Sequence, residues 1–322
     1  MAVRGSDLTA ARFPGMAAGY ESYYLRACHP DGGLGVWIRY TVHRRAGLAP
    51  TASLWFTLFE QDGPTATKVT VPDVAAADWI RIDGARLGPG VATGRANDAE
   101  WDLRFTGADE LRHLPASLLY RAPLPRTKPV SLHPVARFDG RVRVGGREIT
   151  LTGWPGMVGH NWGSEHARRW IWLHGMAFDG AGETTWLDLT FGRLLVGGRL
   201  TPWVANGAIS VEGTRLRLGG LGRARRPRVT EAADQLEFAV PGRDIVVAGH
   251  VSAPRERIVG WAYADPDDSV HHVANCSIAD LTIRVARPHR APLNLHAPGL
   301  ATYELGMHET DHGIPIQPFT DG

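Results

Sequence analysis

Turn residues cut this chain into short apolar stretches about every 8 to 15 positions, and no stretch sustains a helical period. With 38 glycines and 22 prolines spread along its length, such a chain is confined to short strands joined by tight connections, so it is read as an antiparallel all-β protein. Candidate strands run over 20–28, 36–43, 53–60, 100–105, 137–144, 148–152, 170–178, 184–191, 208–211, 236–240, 244–251, 258–264, 272–278, 281–285 and 301–307. Only 73–79 and 109–119 resemble helices, and Pro115 interrupts the second. So many strands in 322 residues exceed one small barrel, and two β domains are expected, 1–165 and 166–322.

The formal net charge is only +2. One basic run, Gly222–Arg228 (GRARRPR), is read as a solvated loop rather than an anion or nucleic-acid contact. No apolar run reaches the roughly 18 residues a membrane helix needs, and the first residues lack the apolar block of a signal peptide, so a cytoplasmic protein is expected. Cys28 and Cys276 fit no metal or redox spacing and are read as free thiols, with one long-range disulfide as the alternative. Oligomeric state is open.

The stretch Gly159–Gly175, GHNWGSEHARRWIWLHG, holds three tryptophans and three histidines beside a glutamate and two arginines. Burying His, Glu and Asn without partners is costly, and a plain surface has no use for Trp162, Trp170 and Trp172, so the composition suits a ligand pocket. His160 and Asn161 are expected in a glycine-flanked turn, with Glu165 and His166 on the rim of a cavity and Arg168 and Arg169 neutralising carboxylates. If the next hairpin turns at 179–183, His174 faces Asp188, Met176 faces Trp186 and Trp172 faces Thr190 on one side, with Leu173, Leu187, Leu189 and Phe191 on the other. Aromatic burial there would raise a carboxyl's pKa and keep Asp188 protonated. In the first hairpin, Tyr20 and Tyr24 share one face of their strand, and Trp37 and Arg39 share the less ordinary face of the partner. His271 and His272 could reach the same cavity from the second domain. For Trp37, His174 and Asp188, ordinary core packing and hydrogen bonding stand as the alternative reading.

Other motifs carry little. His308–His312 (HETDH) matches a zinc-protease pattern, but Gly306, Gly313, Pro315 and Pro318 leave no helix to hold it. Gly219–Gly222 lacks the context of a dinucleotide site, and no phosphate loop or nucleic-acid module is present. Asn275-Cys276-Ser277 satisfies the glycosylation pattern alone.

The HNWG motif at 160–163, the W-x-W strand at 170–172 and the all-β length together resemble the two-domain lipocalin-like superfamily of carotenoid 1,2-hydratases, AttH-like proteins, tocopherol cyclases and related pericyclases. The resemblance implies two consecutive lipocalin-like antiparallel β-barrels and cofactor-independent hydration or cyclisation of a hydrophobic isoprenoid or polyene, with no metal. Where hydratase-like members carry an acid beside the histidine, this chain has Gly159 and Asn161, so Glu165 or Asp188 would supply it. His160, His166 or His174 would orient that acid or take the final proton. Trp162, Trp170, Trp172, Trp186, Trp37, Tyr24 and Asn161 would line the substrate. A carrier of a hydrophobic metabolite and a pericyclase are the alternatives.

Overall fold

The computed structural model describes residues 7–107, 110–222 and 226–319. Strands are numbered in chain order. The first sheet holds β1 (Gly19–Cys28), β2 (Gly35–Arg44), β3 (Thr51–Phe59), β4 (Thr65–Val71), β5 (Val74–Ala75), β6 (Ile80–Ile82), β7 (Ala85–Gly88), β8 (Val91–Ala96), β9 (Ala99–Gly107), β10 (Leu111–Arg112), β11 (Thr127–Val144) and β12 (Arg147–Gly163). Its order is β4-β3-β2-β1-β12-β11-β9-β8-β7-β6-β5, with β10 paired to β11. The second holds β13 (Arg169–Met176), β14 (Trp186–Arg193), β17 (Val204–Val211), β18 (Thr214–Gly219), β19 (Arg228–Ala232), β20 (Gln235–Pro241), β21 (Val246–Ser252), β22 (Val259–Ala264), β23 (Val270–Ala286) and β24 (Leu293–Met307). Its order is β18-β17-β14-β13-β24-β23-β21-β20-β19, with β22 on β23. A separate hairpin, β15 (Leu195–Val196) with β16 (Arg199–Leu200), stands beyond β14.

All ladders within the sheets are antiparallel, so the chain is all-β with two barrel-like sheets, as its turn rhythm requires. Each sheet curls on itself. In the first, Asn97 at the β8–β9 turn reaches across to Thr67 Oγ1 and the Lys68 carbonyl on β4. In the second, a bridge between Leu218 and Gly242 ties β18 to the end of β20.

Neither expected helix forms. Over 73–79 the chain makes the short strand β5 and then turns at Asp78, whose φ is 56°. Asp109 lies outside the described residues, and the segment beyond it gives β10 and one 3-10 turn at Ser117–Tyr120, after Pro115. The basic run is described only at Gly222 and from Arg226 onward. Strands expected at 272–278 and 281–285 are one strand, β23, with bulges between Cys276 and Leu281. Cys28 and Cys276 are both free and buried.

The HNWG motif, expected as a turn, is strand. It ends the 17-residue strand β12, paired to β1 with Tyr24 opposite Gly159, Tyr23 opposite His160 and Ser22 opposite Asn161. The flanking glycines are there for close approach: a Cβ on Gly159 would sit 2.2 Å from the Tyr24 ring, and one on Gly163 would sit 2.1 Å from the Arg126 carbonyl.

Alternation then sorts the residues. Tyr23, Leu25, Ile38, Tyr40, Leu54 and Phe56 point into the first core. Tyr20, Tyr24, Arg26, Trp37, Arg39 and Trp55 point outward, yet each is buried, because the second sheet covers them. Trp55 meets Trp261 at 5.0 Å and Tyr263 at 5.5 Å, and Trp37 meets Trp261 at 6.3 Å. β3 is therefore apolar on both faces because one faces its own barrel and the other faces the second sheet. Arg26, fully buried at this junction, donates to the Leu300 and Ser277 carbonyls and to Thr302.

Candidate functional site at the junction of the two sheets

Between the two sheets lies a cavity of about 460 Å³. The first hairpin supplies Tyr20, Tyr24, Trp37 and Arg39, β12 supplies Asn161, and the link into β13 supplies Glu165, His166, Trp170 and Trp172. Tyr263 and Glu304 close it from the second sheet, and Leu119, Leu124, Leu194 and Leu221 reach it from connecting loops. The β13–β14 register is the one alternation implied: His174 opposite Asp188, Met176 opposite Trp186 and Trp172 opposite Thr190. Leu173, Leu187, Leu189 and Phe191 lie on the reverse face in the second core.

Of the residues singled out from sequence, Tyr24, Trp37, Asn161, Glu165, His166, Trp170 and Trp172 line the cavity; His160, Trp162, His174, Trp186 and Asp188 do not. The reason for the first two is strand parity. His160 and Trp162 point into the first barrel, where His160 stacks on Tyr23 at 3.9 Å and its two ring nitrogens meet the Leu8 carbonyl at 2.7 Å and Glu21 Oε1 at 2.8 Å. Glu21 also accepts the backbone N–H groups of Arg12 and Phe13, so this buried pair fastens the N-terminal segment. Trp186 packs with Leu111, Met176 and Ala208. Glu165 sits at the rim, 40% exposed and paired with Arg126.

Asp188 lies beneath the cavity. Its carboxylate accepts from Ser131 Oγ at 2.5 Å and Trp172 Nε1 at 3.3 Å, and His113 Nε2 stands 3.6 Å away. Burial pushes its pKa up, but His113, with His174 and Ser131, more than offsets that and holds the carboxyl below its ordinary value. The expected protonated acid is thus replaced by a carboxylate that anchors the Trp172 wall. His174 donates to the Pro134 carbonyl at 2.8 Å, and burial lowers its pKa to about 4.

The better-placed acid–base group is His166. Its ring is sandwiched by Tyr20 at 3.8 Å and Trp170 at 5.2 Å, and its Nδ1 is 2.5 Å from Asp265 Oδ1. The same oxygen accepts the His166 backbone N–H at 2.9 Å. Burial raises the Asp265 pKa, but the hydrogen bonds and charge of His166 more than reverse this and lower it. With Nδ1 held by the carboxylate, Nε2 is the free nitrogen, and it has no protein partner. Behind it, His271 presents Nδ1 3.6 Å from Asp265 Oδ2, and burial lowers its pKa to about 3.

Donor atoms of His166, Asp265 and His271 lie within 4.8 Å of one another, a set able to hold a metal. However, ligands on one zinc ion, with bonds of about 2.0–2.2 Å, stand roughly 3 Å or more apart. The 2.5 Å contact is a hydrogen-bond distance, so His166 Nδ1 and Asp265 Oδ1 read as an acid–base dyad.

Opposite, Arg39 donates Nε to Ser22 Oγ at 2.6 Å and lies 3.9 Å over the Tyr263 ring, and its Nη1 has no partner. Glu304 accepts from Trp170 Nε1 at 3.0 Å and Asn275 Nδ2 at 2.9 Å. Trp37 Nε1 and Asn161 Oδ1 also lack partners. Sequence reasoning missed Asp265, Glu304, His113 and Ser131. Asp265 stands in the acidic stretch ADPDD, which reads as a surface turn. Glu304 left one usable sign, a lone carboxylate inside the apolar strand ATYELGM.

Solved structures place this architecture. The chain superposes on an AttH-like protein from Nitrosomonas europaea with a TM-score of 0.54 and 13% identity, covering 96% of this chain and 97% of that one. It superposes on kievitone hydratase from Nectria haematococca with a TM-score of 0.53 and 10% identity, covering 94% and 92%. The chain has the two-domain lipocalin-like fold. Within that fold the cavity is a junction site, walled by the outer face of the first barrel and the near face of the second sheet. No protein-family model matches the sequence. Two uncharacterized proteins, from two strains of Mycobacterium tuberculosis, are each 28% identical over 318 residues, covering 93% of this chain and 89% of theirs.

Proposed function

We propose that the protein adds water to, or removes it from, a hydrophobic unsaturated substrate held in the junction cavity. The observation that carries the reading is the His166–Asp265 dyad, whose free Nε2 belongs to a cavity-lining ring. Arg39 lines the same apolar chamber as His166 and has no carboxylate partner among the described residues. Nε2 takes a proton from water as the oxygen bonds to one carbon of a double bond conjugated to a carbonyl. The displaced electron pair moves onto the carbonyl oxygen, held by Arg39, and the proton on Nε2 then passes to the neighbouring carbon, so one H and one OH are added. Tyr24, Trp170 and Trp172 supply flat apolar walls for a polyene or isoprenoid-bearing substrate. Kinship of fold with a kievitone hydratase supports the reaction class.

The reading differs from protonation of an isolated alkene, which needs a carboxyl that keeps its proton, because Asp188 and Asp265 are both held below their ordinary pKa and favour the carboxylate. The test is incubation in ¹⁸O-labelled water with trans-chalcone, a hydrophobic enone, and geranylgeraniol, an unconjugated isoprenoid. Label is expected in the enone adduct alone, with turnover falling about 10²–10⁴-fold in His166→Gln and also lost in Arg39→Met. Label in the isoprenoid, retained by Arg39→Met, would return the chemistry to an acid route. Both probes binding unchanged would make the protein a carrier.

A further inference from the structure

Ten large apolar side chains are exposed among the described residues, and seven of them stand on three connections, each of which sends one of them, Leu124, Leu194 or Leu221, to the cavity lining. Leu118 and Leu124 belong to the link between β10 and β11, Leu194–Val196 and Leu200 to the β15–β16 hairpin, and Leu221 to the turn after β18. Leu118 and Leu221 are each 73% exposed. Scattered exposed leucines are ordinary, but a cluster around the entrance of an apolar chamber marks a contact surface.

Charge selects what it contacts. Residues 113–128, 192–208 and 216–230, which carry these side chains, contain no Asp or Glu, although the whole chain is nearly neutral, and the carboxylate at the cavity rim, Glu165, is paired with Arg126. Arg121, Arg199 and Arg226 are exposed there and make no ion pair among the described residues. A second copy docking by two-fold symmetry would set these arginines against one another. Apolar tips among unpaired cations instead fit a bilayer whose headgroups are anionic.

We infer that the mouth of the junction cavity is a docking surface for an anionic lipid bilayer, seated on Leu118, Leu195, Val196 and Leu221 and steered by Arg121, Arg199 and Arg226. Seated so, the chamber opens toward the acyl layer and takes its ligand without carrying it through water. This rests on the cavity's apolar mouth and not on the hydration chemistry.

The test is flotation of the full chain, without substrate, on vesicles of phosphatidylcholine alone and of phosphatidylcholine with an equal share of phosphatidylglycerol. Binding is expected only to the anionic vesicles. Leu195→Asp with Val196→Asp is expected to weaken it at least about tenfold through lost apolar insertion. Each of Arg121→Gln, Arg199→Gln and Arg226→Gln is expected to weaken it about fivefold and to flatten its salt dependence. These positions are exposed, and unchanged far-UV circular dichroism confirms that the variants fold. Absence of wild-type flotation, flotation unaffected by the variants, or a dimer that the variants convert to monomer would overturn the proposal. Because no turnover is read, failure of the hydration chemistry leaves this result untouched.

Discussion

Asp188 and His166 both lie among aromatic rings, and their neighbours give them different work. Asp188 has three donors or cations at hand, so its charge is satisfied and its carboxylate holds Trp172 and His113 in place. Asp188→Asn is expected to cost roughly 2–4 kcal/mol of stability, since His113 and Ser131 lose their acceptor in a buried site; chemical denaturation reads this directly. His166 has one nitrogen tied and one open. His166→Gln keeps an N–H donor for Asp265 but no acid–base group, so the unfolding midpoint is expected to fall less than in Asp188→Asn while turnover falls. A pair of variants in which activity and stability fall together for both would remove the division of roles. Aspartate and histidine identities were visible in the sequence. Their roles were not, because a carboxyl's proton affinity is set by groups distant in the chain, as Ser131 is from Asp188 across 57 positions.

The strand is the scale at which the site is assembled, because parity decides which residues face the cavity. The β13–β14 hairpin was legible: its alternation of Trp, His and Asp with Leu and Phe fixes which face meets the second core, and the register follows. β12 was not legible, since its closely spaced glycines mimic a turn while serving to admit Tyr24 and the Arg126 backbone. Gly159→Ala is therefore expected to push the Tyr24 ring into the cavity and weaken binding of an apolar fluorescent ligand, with the strand preserved. Undiminished binding would mean that Tyr24 is not a wall. On β1, on the face opposite Tyr24, Glu21→Ala strips the partner from His160 Nε2 and from two backbone N–H groups. A loss of about 3 kcal/mol is expected, with proteolysis of the N-terminal segment before global unfolding.

For the whole molecule, the two sheets are joined by a titratable contact. His174 on the second sheet donates to the Pro134 carbonyl on the first, and its folded pKa is about 4 against the ordinary 6.5. Between these values the unfolded chain binds a proton that the folded one refuses. Stability is therefore full above about pH 6.5 and falls as pH drops toward 4, by on the order of 3 kcal/mol. His271, lowered to about 3, adds to the same slope. Urea unfolding across this range is expected to show the decline, and His174→Asn to flatten it by one proton's share; an unchanged slope would place the titrating group elsewhere. The sequence by itself determined the all-β class, the aromatic stretch around residue 170 and the face on which β13 and β14 present it, because these depend on turn residues and a period of two. Tertiary structure alone decided that the outer face of the first barrel is buried, that His166 meets Asp265 across 99 positions, and that His160 belongs to a core. Those facts depend on how two sheets pack, and no local pattern encodes the partner that a strand's second face will meet.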